Sequence, residues 1–239
     1  LLMQMLHPHA LQGVLDHSRF REDMSGRLRR TARFIATTTY GHRDEAMRAI
    51  ARVNRIHAGV HGTLPDGTPY AATDPRVLAW VHVTEVTAFL DAYLALVRPA
   101  MPAAEQDEYV RQFALIARAL GADPVPETRA EAAAIMRALR GDLAVGPATL
   151  EVARLIISGR AGSGAARVQP LLAANAIALL PPFARTMLGL RPPGPAAVPA
   201  RLAARSLAQT LRWAFAREVR ASVDPARRDQ ANGAARRST

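Results

Sequence analysis

The sequence predicts an all-α fold: a single globular domain of about eight to ten helices. Three observations carry that reading. Apolar residues recur with helical spacing in nearly every segment, the only segment that reads as a β-hairpin surrounds Pro65–Tyr70, and no Pro/Gly-rich stretch has the length of an interdomain linker. With 239 residues and 49% hydrophobic content, the chain can bury a substantial core, and no repeat of fixed period divides it.

The elements follow in order. Leu1 to about Leu15 is apolar and opens toward His7-Pro8-His9. Ser25 is placed to cap a helix from about Arg27 to Thr38, which Tyr40-Gly41 ends. Asp44 opens the next helix, where Ala46, Ile50, Val53 and His57 fall at offsets 0, 4, 7 and 11 and so share one face. Gly59, Gly62 and the Leu64-Pro65-Asp66-Gly67 turn stop it. Asp74-Pro75 starts a helix that runs to about Val97, with Pro75 at the first helical position. Further helices fit 103–120, 129–139, 148–157, 169–188 and 197–219. Gly162–Gly164 and Arg191–Pro195 read as loops, and residues 1–226 as the domain, followed by a basic flexible tail over 227–239.

Composition excludes several chemistries. Zero cysteine removes a disulfide framework, a Cys-ligated zinc site, an iron–sulfur cluster and a thiol nucleophile. All 31 basic residues are arginine, and the net charge is +11, but the distribution is uneven. Nine arginines against three acids after residue 200 place +6 in the last 39 residues. That pattern favours a solvated tail over a nucleic-acid surface, so no specific nucleic acid is expected as partner. The most apolar stretch, Leu171–Leu180, is interrupted by Asn175, closed by Pro181-Pro182, and shorter than the roughly 20 residues of a bilayer span, so no transmembrane segment is expected. No signal peptide is visible either, and the expected localisation is cytoplasmic. The chain opens on Leu1-Leu2-Met3 inside an apolar helical pattern, which predicts further sequence upstream.

Histidine placement is the most informative chemical feature. All seven histidines (7, 9, 17, 42, 57, 61 and 82) lie in the first 82 residues. His57 sits on the apolar stripe of its helix; on the next, Leu78, His82, Glu85 and Phe89 share a face at offsets 0, 4, 7 and 11. Each inward histidine is either a core residue satisfied by a backbone carbonyl or a ligand, and their confinement to a third of the chain favours a metal or cofactor. Arg27 and Thr31 are spaced i, i+4, with Phe34, Ile35 and Thr38 completing that face. An arginine on an apolar face needs an anion, which is either an internal carboxylate such as Glu85 or a ligand's carboxylate. Thr31 could instead back-bond to the Arg27 carbonyl. His57 and His61 have i, i+4 metal-ligand spacing, but Gly59 and Gly62 fray that end of the helix. Hydrolase, zincin, Walker and dinucleotide motifs are missing, and Gly162-Ser163-Gly164 has neither a strand before it nor a Lys-Ser/Thr after it.

Six segments in order carry a resemblance: LLMQMLHPHALQGVLDHSRF, RLRRT, TTTYG, VNRIHAGVHG, Tyr70 through Asp74-Pro75, and LAWVHVTEVTAFLDAY. Together, over roughly residues 1–120, they resemble the catalytic domain of the rubber oxygenase (latex clearing protein) and ER-bound MpaB-type oxygenase family. The resemblance implies an all-helical fold that binds haem b through a helix histidine. It assigns His57 of the HAGV segment as the iron ligand, Arg27 and Thr31 to the haem and the reaction, and His82 to the pocket lining, with His61 as the fallback ligand. It further implies an oxygenase that uses O₂ on an apolar, unsaturated or isoprenoid-like molecule, with Arg27 pairing a haem propionate. Rubber cleavers are thought to use an acidic base on the helix before the arginine, yet Leu1–Leu15 holds no Asp or Glu and Asp16 lies at the helix end. That departure points to small-molecule oxidation and away from polymer cleavage.

Two other functions stand beside it. A helical regulator would present Arg27–Arg33 (RLRRTAR) to DNA or a partner protein, but Leu28, Phe34 and Ile35 give that segment an apolar face that favours core packing. A haem-carrying protein without turnover would differ from an oxygenase only in its reactivity.

Overall fold

Twenty-two residues, Pro75–Leu96, form the helix around which the domain is built, α4 of nine α-helices among the described residues. Its start follows from sequence: Pro75 occupies the first turn, where its missing N–H costs nothing, and the Asp74 carboxylate accepts a 2.8 Å hydrogen bond from the Arg76 amide. Trp80, Val83 and Val86 along it are fully buried. The computed structural model describes residues 1–19, 22–158, 169–191, 194 and 205. The helix expected over 197–219, the basic tail over 227–239 and the Gly162–Gly164 loop lie outside these, as does most of the Arg191–Pro195 loop.

Before α4 come a 3-10 turn (Gln4–Leu6), α1 (Pro8–His17), α2 (Met24–Tyr40), α3 (Arg43–Ala58) and an antiparallel pair, β1 (His61–Thr63) with β2 (Pro69–Ala71). The pair registers His61 opposite Ala71 and Thr63 opposite Pro69, which is the hairpin the sequence predicts around Pro65–Tyr70. After α4 come α5 (Ala103–Leu120), α6 (Arg129–Ala138), α7 (Pro147–Ser158), α8 (Gln169–Leu179) and α9 (Pro182–Met187). The fold is therefore all-α with one small two-stranded ribbon.

Three expectations are corrected by local chemistry. The first apolar segment is not one helix, because Pro8 restricts His7 to an extended conformation (φ −87°, ψ 117°) and splits a 3-10 turn from α1. The cap of α2 is Asp23, whose carboxylate accepts from the Gly26 amide at 2.7 Å; Ser25 is already inside the helix. The segment 169–188 breaks at Pro181-Pro182 into α8 and α9, since neither proline can donate to a continuing helix.

The main core joins the chain start (Leu2, Met3, Leu6), α4 (Ala79, Trp80, Val83), α6 (Met136), α7 (Ala153) and α9 (Ala184). The start of the chain runs antiparallel to α4. Leu1 lies near Glu85, the Trp80 indole donates to the Gln4 carbonyl, and the His7 ring lies near Asp74 and Arg76. A second cluster seats α5 on α4 through Val86, Leu90 and Val110. Among the described residues, α4, and not Leu171–Leu180, is the helix long and apolar enough to cross a membrane. Its apolar side chains form the protein's own core, in contact with α1, α5, α6 and α8, so that test identifies the central helix of the domain. The helices α2 and α3 form an antiparallel hairpin held by α3 against α5, where Asn54 donates to the Ala119 carbonyl at 3.0 Å.

Candidate functional site

Arg27 on α2 lies within electrostatic range of His57 on α3 and of the chain start, which in turn lies near Glu85 in the middle of α4. On α3 the expected face is the inward one: Ile50 is buried, and Ala46, Val53 and His57 are part-buried. His57 lies in the last turn, and its Nδ1 atom is buried with no hydrogen-bond partner. Burial, followed by the nearby Arg27 guanidinium, lowers its pKa, which holds the imidazole neutral with a free lone pair.

Arg27 reaches this group from α2. It is part-buried, and burial and the neighbouring Arg30 both lower its pKa. Among the described residues it forms no ion pair; Glu85 is not its partner. An arginine in this condition is a ready anion site, since its donors are desolvated and uncompensated. Thr31 lies one turn further on and is exposed, and its hydroxyl makes no bond to the Arg27 carbonyl; Thr38, by contrast, back-bonds to Phe34 and Ile35.

The α4 side presents the graded face expected from spacing. Leu78 is buried, His82 and Glu85 are part-buried, and Phe89 is 44% exposed. His82 Nε2 is a second buried ring nitrogen with no partner, and burial pushes its pKa down to about 4. Burial also raises the pKa of the Glu85 carboxyl. Asp16, at the end of α1, is committed elsewhere, accepting from the Tyr70 hydroxyl at 2.6 Å and from Gln12 at 2.8 Å.

His61 is placed apart. It lies in β1, beyond the Gly59 cap that ends α3, so it and His57 are not neighbours on one helix face; its side chain is exposed and its carbonyl accepts from His17 Nε2 at 3.1 Å. The helical His57–His61 metal pair is thereby corrected, and among the described residues no three His, Asp or Glu side chains gather around one point. The RLRRTAR segment is also corrected in part, because Leu28 is 60% exposed while Phe34 and Ile35 are part-buried. Periodicity locates His57 and His82, but it misses the pairing of buried His7 with part-buried His9, since the burial of His7 depends on contacts distant in sequence.

The family model for the ER-bound oxygenase mpaB/B′ and rubber oxygenase catalytic domain matches residues 1–213. The match runs well past the roughly 120 residues that carry the resemblance by motif. Neither the curated proteins nor the solved structures contain a match to the chain. All six ordered motifs fall inside the matched span, and the chain belongs to the mpaB/rubber oxygenase catalytic-domain family.

Proposed function

We propose that this oxygenase-family chain is a haem b-dependent enzyme that uses O₂ to oxidise an apolar, unsaturated or isoprenoid-like small molecule. One observation carries the cofactor: among the described residues, His57 is a neutral, inward-facing imidazole with a buried nitrogen that has no hydrogen-bond partner, beside an arginine with no acidic partner. These residues fit haem, which needs one protein nitrogen for its iron and cations for its propionates, so a missing three-ligand cluster is no obstacle. His57 would hold the iron, Arg27 would pair a propionate, Thr31 would lie at the outer edge, and His82 would line the pocket.

When bound, haem supplies the redox-active iron at which O₂ is used. The chain's own residues do the rest. Val53 shares the part-buried face of α3 with His57, and Phe89 shares the α4 face of His82 and Glu85, so these two supply apolar side chains next to the polar ones. Glu85, whose carboxyl burial raises, and His82, which burial keeps unprotonated, are the titratable side chains on this face of α4. The lack of an acid on the body of α1 favours a small molecule over a polymer.

The test is an absorption titration of the purified chain with haemin, beside His57→Ala and Arg27→Leu. A Soret complex of one equivalent is expected in the parent, lost or shifted in His57→Ala, and about ten-fold weaker or more in Arg27→Leu, for a lost buried charge pair of about 1.4 kcal/mol or more. A folded parent that forms no Soret complex would overturn the reading. A complex unchanged in His57→Ala would move the ligand elsewhere.

A further inference from the structure

A second pair of imidazoles lies at the opening of α1, away from the group around His57. His7 caps α1 and His9 is its second residue, with Pro8 fixing the turn between them. Their rings meet at 5.2 Å between centroids with planes at 72°. His7 is only 4% exposed, and the Nδ1 atoms of both rings are buried without a hydrogen-bond partner. The rings therefore do not satisfy each other, although each has a lone pair or an N–H to place. Burying two such nitrogens is unfavourable unless something outside the chain meets them.

The surroundings favour a cation. Asp142 and Asp74 lie within electrostatic range of His7, and Asp66 within range of His9. Among the described residues, the positive side chain near His7 is Arg76, which is paired with Asp142 at 2.8 Å. The carboxylates serve the backbone: Asp74 caps α4 and Asp66 accepts from the Thr68 amide at 2.9 Å. The two imidazoles are thus the available donors.

We propose that His7 and His9 bind one divalent transition-metal ion of the class that imidazole serves, with water or a small exogenous donor completing its coordination. A metal about 2.0–2.1 Å from each nitrogen needs those nitrogens about 3–4 Å apart, which rings at 5.2 Å between centroids accommodate. Two protein ligands make an open site. The pair is also distinct from the His57 group: the chain start runs antiparallel to α4, so the eleven residues from Glu85 back to Asp74 separate the two by roughly 16 Å of helix.

The experiment uses the full chain without haem, titrated with Co²⁺ and followed by its visible absorption, with Zn²⁺ competition and melting temperature as further readouts. One equivalent is expected to bind, to raise the melting temperature and to be displaced by Zn²⁺. His9→Gln, whose ring is less buried than that of His7, should fold and lose the uptake; His7→Gln should lose it as well, whereas His61→Ala and His57→Ala should retain it. No uptake by the parent would show that water meets these nitrogens and would overturn the site. Uptake that survives in both His9→Gln and His7→Gln, or that vanishes in His57→Ala, would overturn it equally. The Soret titration is independent, so failure of either proposal leaves the other standing.

Discussion

At the residue scale the informative positions are those where a side chain is held against its intrinsic preference. His82 takes a proton near pH 6.5 when unfolded, but only near pH 4 in the fold, because burial penalises the charged ring. Between these values the unfolded state binds more protons, so stability rises with pH. Its contribution is complete above about pH 6.5 and is lost as pH falls toward 4, by up to about 3 kcal/mol at about 1.4 kcal/mol per pKa unit. Urea unfolding of the haem-free chain across that range should show the slope, and His82→Gln should reduce it, leaving the share of His7, whose pKa burial also lowers to about 4. Gly62 is a different case. A Cβ there would lie 2.8 Å from the Tyr70 hydroxyl, and that ring is buried and bonded to Asp16. Gly62→Ala should cost about 1–3 kcal/mol through overpacking, measured by the same unfolding curves. Tyr70→Ala beside it should abolish that penalty in a double-mutant cycle.

At the element scale, sequence legibility depended on whether a signal was local. Helix α5 matches its expected span, 103–120, because its amphipathic pattern runs without interruption up to Gly121, which takes the left-handed conformation (φ 91°) natural to glycine. The start of α4 was equally legible in Asp74-Pro75. The start of α2 was less so, since Asp23 and Ser25 both suit a cap and the choice turns on which carboxylate or hydroxyl reaches an amide. Asp23 reaches it, and a Cβ on Gly26 would lie 1.9 Å from the Asp23 carboxylate. Asp23→Ala should therefore lower stability by about 1 kcal/mol, whereas Ser25→Ala should change it by less than about 0.5 kcal/mol; thermal unfolding of both separates the two caps. In the site, the face carrying His57 was legible from period alone. The exposure of Thr31 was not, because it depends on how the α2–α3 hairpin sits against the rest of the domain.

At the scale of the whole molecule, one helix carries the fold. The chain start, α5, α6 and α8 all pack on α4, and Trp80 is fully buried where the start of the chain meets it, its Nε1 bonded to the Gln4 carbonyl at 3.3 Å. Trp80→Ala should cost about 3–5 kcal/mol and unfold the domain as one unit; coincident circular dichroism and fluorescence transitions would check this. The same helix places the functional side chains, so stability and site geometry are coupled: His82 and Glu85 lie two and five residues beyond the tryptophan.

That spacing makes Trp80 an internal optical reporter. The sequence contains only two tryptophans, and this one is rigidly held less than a helical turn from His82. A tetrapyrrole accepted beside His82 would quench the indole by energy transfer, so emission would dim as the cofactor enters and recover as it leaves. Loading could then be timed in a stopped-flow instrument at protein concentrations too dilute for absorbance.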